Sequence, residues 1–150
     1  MFKRNSKGFT LIELLIVVAI IGIIAAIAIP NLLNAIQRGK QKRTMSDLRS
    51  IGTAVESYQV DNGYIPLSAS NTVNLSIRTL MEPTFIKVVP LTDAWKSNFH
   101  WNVLADEYSI VSYGKNTASN AVQGGATTFF NQDIYFSNGG FSQYPEGTQN

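Results

Sequence analysis

The sequence predicts an α+β protein: one long N-terminal helix, membrane-spanning in its apolar first half and packed in its second half on a small antiparallel β-sheet head. Three observations predict it. An apolar run fills residues 9–29 of the 150. Leu48, Ile51, Val55 and Tyr58 then recur at spacings of three and four, the period of one buried helix face. Beyond Pro83, short apolar and aromatic runs separated by turn residues replace that period. The chain divides accordingly into a leader at 1–8, an apolar helix at 9–30, its amphipathic continuation at 31–62 and a head at 63–150.

The leader holds Lys3, Arg4 and Lys7, no acid, and ends in Gly8. Of the 21 residues from Phe9 to Ile29 only Thr10 and Glu13 are polar. At a rise of 1.5 Å per residue such a helix is about 31 Å long, close to the thickness of a bilayer's hydrocarbon core. A cleaved secretory signal would have a shorter apolar stretch, with its small-residue site on the far side. Here the glycine comes first. Charge alone does not orient the segment, because Arg38, Lys40, Lys42 and Arg43 on its far side compete with the leader.

Lys7-Gly8-Phe9-Thr10-Leu11-Ile12-Glu13-Leu14, with the run on to Ile29 and Pro30, resembles the processing and assembly signal of type IV pilins and type II secretion pseudopilins. The resemblance implies a pilin-like fold, cleavage after Gly8 by a prepilin peptidase at the cytoplasmic face, and N-methylation of the new terminus, Phe9. It also implies a chain held by one pass in the inner membrane, head in the periplasm, and later built into a helical homo-oligomeric filament.

An acid inside a membrane helix costs a few kcal/mol at the centre and less near an end, so it usually has a partner. Cleavage would expose the Phe9 amine one turn from Glu13. The carboxylate could then face its own amine or, as the resemblance implies, pair with a neighbour's amine and set register. A tolerated interfacial acid is the plain alternative. Pro30 removes a helix hydrogen bond and crowds the Ala26 carbonyl, which predicts a kink or local melting. Gly22, Ala25, Ala26 and Ala28 would let helices approach closely. Pro30 either marks the membrane exit or, by the resemblance, lies where the helix loosens in the filament.

The formal charge of +2 belongs to the whole chain. Removing Lys3, Arg4 and Lys7 from the 12 basic residues leaves nine against 10 acids, a net charge of −1 for residues 9–150. The mature chain's charge therefore gives no argument for nucleic-acid binding. Residues 37–44 are polar all round and carry four positive charges, but no aromatic is interleaved with them. That pattern reads as a solvated helical face near a membrane, with no specific nucleic acid as partner. With no cysteine, no disulfide staples the head.

Gly63 and Pro66 end the long helix. A short helix is expected from Leu75 to Glu82, stopped by Pro83. Phe99–Leu104 and Tyr108–Tyr113 form a hairpin across Ala105-Asp106-Glu107. Asp133–Ser137 and Phe141–Tyr144 form another across Asn138-Gly139-Gly140. Residues 115–132, rich in Gly, Ala, Asn and Thr, read as a long loop of functional or ligand-ordered type.

Three head segments, Val60-Asp61-Asn62-Gly63-Tyr64-Ile65-Pro66, Asp93-Ala94-Trp95 and Tyr108-Ser109-Ile110-Val111-Ser112-Tyr113-Gly114, are similar to the major pseudopilin of type II secretion systems, as is Asp133-Ile134. The chain departs from that pattern at Ala94 and Lys96, where proline and glycine flank the tryptophan in the family, and at Ile65. The resemblance also implies calcium in the loop after Gly114. Calcium takes six to eight oxygens, several of them charged. Asn116 stands nearest the expected first aspartate, no acid occurs from Lys115 to Gln132, and Asp133 alone matches. Asp133 and Asn116, with Asn120 and backbone carbonyls, are the candidate ligands; packing of Phe129, Phe130 and Tyr135 is the alternative way to hold the loop.

No Gly-x-Ser-x-Gly elbow, phosphate loop or metal-ligand spacing points to an enzyme, and His100, the single histidine, sits between Phe99 and Trp101 as a strand residue. The resemblance implies a structural subunit of a pseudopilus that drives protein transport across the outer membrane. Its partners would be copies of itself, minor pseudopilins or pilins, the prepilin peptidase and the inner-membrane assembly platform. The alternative is a subunit of a surface type IV pilus for adhesion, motility or DNA uptake. A membrane-anchored binding module, monomeric in the bilayer, is a third reading. Electron conduction is disfavoured, because no Phe, Tyr or Trp lies between Phe9 and Tyr58.

Overall fold

The structure is a computed structural model and describes residues 8–68, 70–104 and 107–149. The basic leader residues and the turn residues Ala105 and Asp106 lie outside the described residues. The chain forms two compact units, residues 1–35 and 36–150. Helix α1 spans Leu11–Asn62 and contributes to both.

In the first unit every residue from Leu11 to Ile24 is exposed. An apolar helix with no polar face and nothing covering it satisfies its backbone but not its side chains in water. A kink or local melting is expected at Pro30; helix α1 runs through it without a break. Next to the proline, the Asn31 side chain donates from Nδ2 to the carbonyl of Ile27 at 3.1 Å, one position on from the Ala26 carbonyl that Pro30 leaves without its usual donor.

In the second unit, residues 36–62 of α1 lay one face on a five-stranded sheet. Leu48, Ile51, Ala54, Val55 and Tyr58 are buried there. Gly52 lets the Phe136 ring lie directly on the helix, where any Cβ would collide with it. Gly63, at φ +78°, ends the helix, its N–H reaching the Gln59 carbonyl at 2.8 Å. Helix α2 (Leu75–Met81) starts at Asn74, whose side-chain oxygen accepts from Ser76 and Ile77 N–H.

The strands are β1 (His100–Leu104), β2 (Glu107–Ser112), β3 (Gly125–Thr127), β4 (Ile134–Ser137) and β5 (Gly140–Pro145). Their order is β1-β2-β4-β5-β3. The two hairpins expected from sequence are present as antiparallel pairs, and β2 joins them by pairing antiparallel to β4. The β4–β5 turn has positive φ at both Asn138 and Gly139, as a tight hairpin turn requires.

The expectation of a purely antiparallel head needs one correction. Within the segment read as loop, β3 pairs parallel with β5. It is three residues long and buries only Thr127, so no alternation announces it. Its position depends on Gln143, which is 1% exposed and whose side-chain oxygen accepts from Gln123 and Gly124 N–H.

Candidate functional site

Two places bear on function: the amino end of α1, and the helix-facing loops of the head. At the first, Thr10 and Glu13 form a reciprocal cap. The Glu13 carboxylate accepts from the Thr10 N–H at 2.8 Å and from the Thr10 hydroxyl at 2.7 Å, while Glu13 N–H donates to the Thr10 hydroxyl at 3.3 Å. This is a Thr-x-x-Glu capping box. It turns the carboxylate back toward Phe9, which is 83% exposed, and leaves Gly8 with open space around it. The pattern is visible in the sequence, but attention to the acid's membrane cost hides its simpler local role.

At the second place, the helix face read as uniformly solvated proves to be half structural. Gln37 accepts from the Trp95 indole N–H at 2.8 Å, Thr44 accepts from Ala94 N–H at 3.2 Å, and Gln41 donates to Gln149 at 3.1 Å. Residues 37, 41 and 44 extend the 48, 51, 55, 58 spacing by two turns, a signal that polarity masks. Arg38, Lys42 and Arg43 face solvent.

Asp93, 4% exposed, ties two of the head motifs together. It accepts from Trp95 and Ser97 N–H, each at 2.9 Å, and from the Ser112 hydroxyl at 2.7 Å. Two residues on, Gly114 sits at φ +66°, and a Cβ there would press on the backbone of Phe130 and Gln132. Tyr108 donates its hydroxyl to Glu56 at 3.0 Å, and burial pushes that phenol well above its usual range.

Comparison with known proteins bears on both places. Residues 3–29 match the prokaryotic N-terminal methylation motif. Residues 31–129, well over half of the chain, match the type II secretion system protein G model. The chain belongs to the type II secretion protein G family. Family members called type II secretion system core protein G are similar to it in Vibrio cholerae, at 29% identity over 71% of this chain and 77% of that one, and in Escherichia coli, at 27% over 81% and 82%. A type IV major fimbrial protein of Dichelobacter nodosus is 56% identical, but only over 39% of this chain and 38% of its own. No solved structure matches.

The loop that the protein G resemblance marks for calcium is built differently from a cation site. Asp133 is fully buried, and burial raises its carboxyl above the usual aspartate range against the opposing pull of Asn120. Both of its oxygens accept hydrogen bonds from Asn120, one from the backbone N–H and one from Nδ2, each at 3.0 Å. Asn116 is exposed, and its side-chain oxygen accepts from Ala118 N–H at 3.3 Å. Among the described residues no three acidic, histidine or cysteine side chains group together as metal ligands. One carboxylate, already bonded through both oxygens to N–H donors, does not fit a calcium ion.

Proposed function

We propose that this chain is a structural subunit of a pseudopilus, polymerising through α1 to drive protein secretion across the outer membrane. One observation carries the reading: α1 begins with a capped acid and then exposes apolar side chains on every side from Leu14 to Ile24. Such a surface needs lipid first and copies of itself afterwards. The family membership supplies the context in which those two environments succeed one another.

In this reading the precursor is trimmed after Gly8 and methylated on Phe9. It waits in the inner membrane with its head in the periplasm. Assembly joins Glu13 to the freed amine of a neighbouring Phe9. Pro30 is the point at which the helix loosens once it leaves lipid, because its missing N–H makes that turn the cheapest to open. Minor pseudopilins or pilins, the prepilin peptidase and an inner-membrane assembly platform are its partners, and another protein supplies the ATP hydrolysis for assembly. The chain has no catalytic role in it.

A surface type IV pilus is the second reading, favoured by the likeness to the fimbrial protein over its matched segment. Deleting the gene distinguishes the two. Loss of exoprotein release with surface filaments intact supports the secretion reading. Loss of surface filaments with secretion intact supports the pilus.

A further inference from the structure

The 115–132 loop has the oxygen atoms of an ion site but places a nitrogen among them. Asn120 Nδ2 lies within hydrogen-bonding distance of three oxygens: the carbonyls of Ala118 at 3.1 Å and Asn131 at 2.6 Å, and Asp133 Oδ1 at 3.0 Å. The backbone N–H of the same residue takes the other Asp133 oxygen. A single neutral side chain thus gathers the start of the loop, its end and the buried acid. We infer that the Asn120 carboxamide does the work of a bound cation in this loop, and that the head of this chain is ordered without calcium.

The chemistry favours the amide over an ion. Calcium needs six to eight oxygens at about 2.3–2.6 Å, several of them charged. From Lys115 to Gln132 the chain offers no carboxylate, so Asp133 would be the lone charged ligand. To admit an ion, Asn120 would have to withdraw both its donors, and the site would exchange a satisfied carboxylate for an under-coordinated dication.

The rest of the loop is held in the same neutral manner. Gln143 donates to the Asp133 carbonyl at 2.8 Å and accepts from Gln123 and Gly124 N–H. Gln149 donates to the Thr127 carbonyl at 2.7 Å. Both glutamines are almost fully buried, at 1% and 3% exposed. Buried amides bonded through both their oxygen and their nitrogen rigidify a segment, and here they do so with no net charge to balance.

The test uses the full-length chain in detergent, with millimolar calcium or excess EDTA. Thermal unfolding and limited proteolysis within residues 115–132 are the readouts. The wild-type chain should give the same Tm and the same protease resistance in both buffers. Asn120→Ala should be cut in the loop many times faster, equally in both. An ion bound at about a hundred times its dissociation constant would raise Tm by roughly 5–10 °C. A rise of that size in the wild type, cleavage confined to EDTA, or an Asn120→Ala loop as resistant as wild type would each overturn the inference.

Discussion

The Glu13 carboxylate accepts both the backbone N–H and the hydroxyl of Thr10, at 2.8 and 2.7 Å. The cap folds the acid back onto Thr10, the residue that follows Phe9. Loss of one partner of a buried ion pair costs about 3–5 kcal/mol. Glu13→Leu should therefore leave membrane insertion unchanged and reduce filament yield by a hundredfold or more, on the order of that cost. Membrane fractionation and sheared-filament yield check the two halves. Thr10→Ala, which removes the cap but keeps the charge, should cost about 1 kcal/mol and only lower the yield.

Two glycines of α1 should respond to alanine in opposite directions. At Gly52 the new methyl meets the buried Phe136 ring, which has nowhere to go. Gly52→Ala should destabilise the head by about 1–3 kcal/mol. At Gly39 there is open space, and Gly39→Ala should stabilise the helix by up to about 1 kcal/mol. Thermal unfolding of the two variants in detergent would show the contrast.

Asp93→Ala removes the acceptor for three donors, Trp95 N–H, Ser97 N–H and the Ser112 hydroxyl, at a site only 4% exposed. Each buried donor left unsatisfied costs about 1–3 kcal/mol, so the variant should lose most of the head's stability. Near-UV circular dichroism of Trp95 and Trp101 would report the loss.

Glu82 predicts a pH dependence. Its carboxyl is held below the ordinary value of 4.5, first by the Arg78 side chain at 2.8 Å and then by the Val89 N–H. A carboxyl lowered on folding contributes stability that is full above the ordinary value and lost as pH falls through the lowered one. The Tm gap between wild type and Glu82→Gln should be constant near neutrality and close only below pH 4.5. Asp133 acts with the opposite sign. Its contribution is full below the ordinary value of 3.8 and declines as pH rises through its raised one. A gap that widens on acidification would contradict the Glu82 assignment.

Most of the fold was legible because it rests on repeated patterns. The apolar run, the 48, 51, 55, 58 stripe and the Asn138-Gly139 turn each name one local structure. What was illegible depends on single polar contacts across long separations. Gln37 and Thr44 look solvated until the 93–95 loop reaches them. Strand β3 is only three residues long and exists because Gln143 binds the backbone ahead of it. Pro30 is the reverse case. The sequence predicts a kink or local melting there, and α1 runs through it without a break. At the candidate site, the Thr10–Glu13 cap could have been read from four letters; the sequence also places Asn120 with Asp133, but as joint ligands of an ion and not as donor and acceptor.

The intact mass of the chain recovered from pelleted filaments tests the central claim most directly. The account predicts a polypeptide that begins at Phe9, carries one added methyl group and is found with its fellows in the polymer. A chain still bearing residues 1–8, or one found only as monomers in the membrane, would contradict it.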